Sequence, residues 1–276
     1  MRAAAICGLI SVLIILISCS SAPAGPEKGS AAYYWQAARE TFAAGDYSKT
    51  MEHLDNLLAK DSEYSDRALP WSLVLTSGVA AGYCELADHY EIGARMNRSD
   101  PSSFRRQVIT YRGIAKPLTL QFAEKFAKFQ QTKGDTVALA FGYPRGTATP
   151  APQLTKVAAG MILIPADVEQ AQARTIERNV LLEACRAAGA PDDTAKGEVV
   201  LKDPAAKIPR GTFELAMANT LYNTSQLYVG VKLDDPDKVR IFCERADEAL
   251  KQAPASKDSK ALSDKVQAAL KKVKKT

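Results

Sequence analysis

Histidine is almost missing from this chain. Its 276 residues hold two, His53 and His89, and neither stands in a His-Glu-x-x-His pattern. A hydrolytic zinc site needs several imidazoles or thiolates to converge, and nothing here supplies them. A serine triad would have to recruit one of the same two imidazoles, and no Gly-x-Ser-x-Gly elbow is present. Phosphate-cradling loops are missing too: Gly142-Tyr143-Pro144-Arg145-Gly146 has two glycines, but its proline removes a backbone donor that such a loop requires. Cysteines number five, with no pair at metal-ligand spacing. Paired carboxylates of the glycosidase kind cannot be located from an Asp and Glu list alone. The tight group Asp234-Asp235-Pro236-Asp237 reads as a helix start: Asp235 as N-cap, Pro236 first, Asp237 on the positive dipole end. These absences point away from an enzyme and from any metal or cofactor.

What is present begins at the amino terminus. Arg2 precedes an uncharged apolar run from Ala3 to Ile17. As a helix it would measure about 22 Å, short of the ~30 Å hydrocarbon core, so it suits a secretory leader better than a membrane span. The run ends in Leu16-Ile17-Ser18-Cys19, which resembles the lipobox of bacterial lipoproteins. The resemblance implies that residues 1–18 are a signal peptide and that the Cys19 thiol takes up a diacylglyceryl group. Covalent lipid is then the only non-protein group expected. Ser20, standing where an aspartate would retain such proteins at the inner membrane, favours the periplasmic side of the outer membrane. Residues 19–32 contain small and polar residues up to Ser30 and read as a flexible tether.

The formal charge is +5 over the whole chain, and +4 without Arg2. Ser256 to Thr276 alone holds seven Lys and two Asp, so the basic balance belongs to the tail. With an export signal, that argues against nucleic acid as a partner. After cleavage Cys84, Cys185 and Cys243 remain beside Cys19. They allow one disulfide with a thiol left over, or three buried thiols.

Periodicity reads helix nearly everywhere. Tyr33 to Ala44 and Lys49 to Lys60 flank Gly45-Asp46-Tyr47, an antiparallel hairpin with a very short turn. Leu69 to Tyr90 is a long helix or helix pair, with Pro70 in its first turn. A helix capped by Asp100 starts at Pro101 and is interrupted near Pro117. Thr136 to Gly142 is a short strand or one more helix, and Tyr143 to Pro152 a loop. Pro165 to Ala188 is a helix ended by Gly189. Glu198 to Leu201 is a candidate strand inside a polar connection. Phe213 to Val229 and Pro236 to Gln252 are helices, and a basic amphipathic helix occupies 253–276, with Leu262, Val266, Leu270 and Val273 on one stripe. Its lysines either complement the helix dipole or touch anionic lipid or an acidic partner.

Ala38, Gly45, Tyr47, Leu54 and Leu57 fall at spacings of 7, 2, 7 and 3. That pattern resembles a tetratricopeptide repeat, with Thr50 in place of the usual Ala and Ser62 in place of the usual Pro. The resemblance implies an all-α, repeat-like array of antiparallel hairpins over 33–252. Further degenerate units would begin near Trp71, carry a turn within Gly82 to Gly93, and end with a hairpin from Tyr228 to Leu250. The layout is also similar to the lipid-anchored helical component of tripartite ATP-independent transporters. That implies an accessory role toward a small ligand or a binding protein.

Binding is the function this pattern favours. Trp35, Tyr47, Trp71 and Tyr83 are candidates for a concave partner-binding face, and Tyr143 and Arg145 for a functional loop. The expectation is a lipid-tethered, non-catalytic scaffold holding a protein partner in the cell envelope, with oligomeric state open and cell-wall hydrolysis the least favoured alternative.

Overall fold

A computed structural model describes residues 25–97, 101–147, 156–158, 161–163, 168–230 and 233–273. The leader, Cys19 and most of the tether lie outside the described residues. Helix α1 (Ala31–Ala44) starts where Ser30 Oγ accepts from the Tyr33 amide at 3.1 Å. It ends at Gly45, whose φ of +81° is a left-handed conformation a side chain would resist. The Asp46 carboxylate then caps α2 (Tyr47–Leu58) by accepting from the Lys49 amide at 3.1 Å. A two-residue link folds α2 back along α1. Ala38, Tyr47, Leu54 and Leu57 are all buried in this hairpin. Thr50 is buried with them, its hydroxyl 2.8 Å from the Asp46 carbonyl and 3.1 Å from Thr41 Oγ1, so the polar group is satisfied.

Two long helices follow, α3 (Ser65–Met96) and α4 (Ser102–Gln131). Helix α3 runs through Gly82–Gly93 without the turn expected there, and it begins four residues before the Leu69 start, which leaves Pro70 inside its second turn. Helix α4 is also continuous through Pro117, contrary to the expected break. Pro117 and Gly113, the residue whose carbonyl loses its amide partner, both face solvent, so the break leaves no buried polar group. The inward stripe Phe104, Val108, Tyr111, Ala115, Thr119, Phe122, Phe126 and Phe129 carries the helix across that gap. Asp100, the expected cap, lies outside the described residues.

Strand β1 (Thr136–Ala138) pairs antiparallel with β4 (Lys207–Pro209), Val137 opposite Ile208; β2 (Lys156–Ala158) and β3 (Met161–Leu163) form a second small ladder between them in sequence. Helix α5 (Val168–Ala187) ends at Gly189, and Pro165, its expected start, lies outside the described residues. Glu198 to Leu201 is not a strand. It belongs to α6 (Thr194–Lys202), capped by Asp193, with Gly197 and Leu201 buried four residues apart and Val199 left in solvent. The remaining helices are α7 (Arg210–Gln226), α8 (Pro236–Gln252) and α9 (Lys257–Val273). Asp235 and Pro236 open α8 as cap and first residue.

The architecture is all-α: antiparallel hairpins packed side by side, with α3 as the central member, against α2, α4 and α5. Helices α3 and α5 touch backbone to backbone. A Cβ on Gly78 would stand 2.7 Å from Val180 Cα, and one on Gly82 2.9 Å from Ile176 Cα. One large core joins α1–α8 to α9 through Leu262 and Val266, while Leu86, Ala87, Tyr90, Phe104, Val108, Tyr111 and Ala171 form a satellite core at the free end of the α3–α4 hairpin. The stripe of α9 is covered by the core, so the C-terminal helix caps the array and does not present an apolar face to lipid.

Candidate functional site

Three of the aromatic residues singled out above lie in the core, which removes them from a partner-facing surface. Trp35 stacks on Tyr64 with centroids 5.3 Å apart and meets the edge of Phe141 at 5.1 Å. Trp71 is fully buried against Phe42 and Phe141, and its Nε1 donates to the Leu139 carbonyl at 3.2 Å. The buried Tyr47 hydroxyl donates to the Arg145 carbonyl at 3.0 Å; burial, and then the Glu177 charge, push its pKa up. The loop after β1 is therefore a strap. Phe141 plugs the aromatic cluster, and Arg145 Nη1 donates to the Ala44 carbonyl at 2.6 Å, closing the negative end of α1. Arg145 is exposed and Tyr143 half-buried beneath the Lys202 ammonium, 5.5 Å from the ring centroid. Tyr83, also half-buried, stacks on Tyr111 at 6.0 Å.

Chemistry is sparse around the cavities. A polar seam of about 300 Å³ runs between α3 and α7, lined by Ser77, Cys84, Asp88, Glu183, Thr220 and Asn223 among others. Two of its carboxylates, Glu183 and Glu85, are engaged by neighbouring side chains. Thr220 donates to Glu183 at 2.7 Å, Arg186 holds the other Glu183 oxygen, and Glu85 accepts from Arg178 at 2.9 Å and Asn179 at 2.7 Å. Cys84, Cys185 and Cys243 are not joined to one another in a disulfide, and burial pushes the Cys185 thiol up to about 11. Among the described residues no group of His, Cys, Asp or Glu is placed to hold a metal, and no helix is long and apolar enough to cross a membrane.

The surface that stands out is the free end of the α3–α4 hairpin. Among the described residues, Ile92, Met96, Ile109, Ile114, Val199 and Val229 are the large hydrophobics left exposed. Three of them lie toward this end, Ile109 at 73 % on α4 and Met96 at 53 % and Ile92 at 49 % on α3, and of these Ile109 lines the cleft between the two helices. Ile92 and Met96 are one turn apart on α3, beside Arg95. Ile109 is flanked on α4 by Arg105, Arg106 and Arg112. Between the helices lies a groove of about 390 Å³, lined by Glu91, Ala94, Arg95, Arg105, Val108, Ile109 and Arg112. Glu91 accepts from Arg95 at 2.5 Å and from Arg112, which together hold its carboxyl below its usual pKa against the opposing effect of burial. The satellite core underneath keeps both helices in register. These residues went unnoticed in the sequence because isoleucine on a helix reads as core. The signal available was phase: Ile109 falls one position off the Phe104-Val108-Tyr111-Ala115 stripe.

Fold and surface together define an all-α helical array with an apolar, cationic end. The chain matches no family model, no curated protein and no solved structure.

Proposed function

We propose that this chain is a lipid-anchored, non-catalytic interaction protein, an assembly scaffold on the periplasmic side of the outer membrane. Its protein partner docks on the free end of the α3–α4 hairpin. The observation that carries the reading is the groove between α3 and α4, where exposed Ile109 stands with Arg95, Arg105 and Arg112. An apolar groove rimmed by charged side chains is the kind of surface on which proteins meet, and arginine is enriched there.

The anchor enters from sequence alone, through the leader and Leu16-Ile17-Ser18-Cys19. The stretch from Cys19 to Ser30 reaches at most about 40 Å when extended. Because Trp35 stacks on Tyr64, the tethered end of the fold adjoins the start of α3. The hairpin end lies at the other end of that helix, roughly 45 Å away at about 1.5 Å per residue. A tether of that reach lets the body turn freely, so the shape and charge of the groove, not its height above the bilayer, favour a protein partner. A second reading, a transporter accessory holding a small solute, draws on the polar seam between α3 and α7. It ranks below because the seam's Glu183 and Glu85 carboxylates are already held by Thr220 and Asn179.

The test is a photo-crosslinking amino acid at position 109 in living cells, with exposed position 199 on α6 as the control. Discrete protein adducts at 109 and none at 199 are expected. No adduct at 109, together with turnover of a cell-wall substrate by the mature chain, would reverse the reading. For the anchor, Cys19→Ala is expected to leave an unprocessed precursor without fatty acid, and palmitate labelling that survives the change would contradict it.

A further inference from the structure

We infer that the groove at the hairpin end receives an amphipathic helix of the partner, apolar on one face and acidic along its flanks. This rests on the scaffold reading and specifies its occupant. A shallow trough between two antiparallel helices, floored by small and aliphatic side chains, is the shape into which a helix lays its apolar face. Here Ala94 and Val108 form the floor and Ile109 stands on the wall. The charges lining the trough are Arg95, Arg105 and Arg112 against Glu91, which Arg95 and Arg112 already engage, and Asp88 lies 3.9 Å from Arg112 just beyond it, so Arg105 is the cation of the trough without an acidic partner among these groups. An incoming helix with Asp or Glu beside its apolar stripe complements that rim, and one with Lys or Arg is repelled.

Two other occupants fit less well. A bilayer presents a plane of headgroups, whereas a trough with Ala94 and Val108 at its floor between flanking charged side chains matches a rod. A second copy of this chain would have to offer a free amphipathic helix. The strongly amphipathic helices α2, α8 and α9 have already buried their apolar faces, with Leu54, Phe242 and Val266 fully enclosed.

The experiment uses the full acylated chain in vesicles of neutral phosphatidylcholine. The probes are two fluorescein-labelled helical peptides, identical in a leucine stripe at i, i+3 and i+7, one flanked by glutamates and the other by lysines. Anisotropy is expected to report micromolar binding of the glutamate peptide and at least tenfold weaker binding of the lysine peptide. Ile109→Asp and Arg105→Glu are each expected to weaken the glutamate peptide about tenfold, and Arg105→Glu to strengthen the lysine peptide. Both positions lie on the surface, and circular dichroism checks that each variant folds. Equal binding of the two peptides, or indifference to Ile109→Asp, overturns the inference. So does a hairpin that binds phosphatidylglycerol vesicles through Arg105 while ignoring both peptides. If crosslinks at position 109 persist in cells while neither peptide binds, the helix-in-groove assignment falls and the scaffold reading stands. Loss of both takes down the two together.

Discussion

Glu214 is the residue whose placement costs the fold most visibly. It sits on α7, fully buried, with neither carboxylate oxygen in a hydrogen bond and only Arg210 Nε at 3.3 Å from Oε1. Burial pushes its pKa up from 4.5 to about 7, against the opposing pull of Arg210. The folded state thus holds the proton more tightly than the unfolded chain does. Its favourable contribution is complete below about pH 4.5 and is lost as the pH rises through about 7. Glu214→Gln is expected to raise stability at pH 8 by about 3 kcal/mol, from roughly 1.4 kcal/mol per pKa unit, and to leave it nearly unchanged at pH 4. Urea midpoints at the two pH values check this, and an equal effect at both would contradict the assigned cause. Arg210 itself is well held: its guanidinium lies over the Phe129 ring, and Nη2 donates to the Phe129 carbonyl at 2.9 Å.

At the scale of helices, glycine shows how packing overrides propensity. Gly78 and Gly82 lie inside α3, where alanine would ordinarily gain about 1 kcal/mol in helix propensity. At both sites a Cβ would press on the α5 backbone. Gly113 in α4 has nothing within 4 Å of its would-be Cβ. Gly78→Ala is therefore expected to destabilise by about 1–3 kcal/mol, while Gly113→Ala stabilises by up to about 1 kcal/mol. The same substitution should shift thermal melting in opposite directions. The helices themselves were largely legible in the sequence, because caps such as Asp235 and stops such as Gly45 and Gly189 act locally. The errors fell where local signals conflict with distant ones. Pro117 announces a break that a long buried stripe overrides, and Val199-Val200 suggests a strand in a segment whose Gly197 and Leu201 are drawn inward by α5.

For the whole molecule, the last helix matters more than its composition suggests. Residues after Ser256 look like a detachable basic tail, yet Leu262 and Val266 are buried and Leu270 and Val273 pack on the same core. Truncation at Ser256 would uncover the matching face of α8. At about 1.5–3 kcal/mol per buried aliphatic side chain, the loss is on the order of 4 kcal/mol, and calorimetry should find a large drop in melting temperature. Unchanged melting would mean that α9 is peripheral after all. By itself the sequence determined that the chain is helical and where most helices begin and end, since periodicity and capping depend on residues only a turn or two apart. It also carries the whole case for a lipidated Cys19. Only the tertiary structure decided that Trp35, Tyr47 and Trp71 are core, that Arg145 closes α1, and that Ile92, Met96 and Ile109 are left in solvent. Whether an apolar side chain is buried depends on which distant helix arrives to cover it, and that is a property of the assembled array.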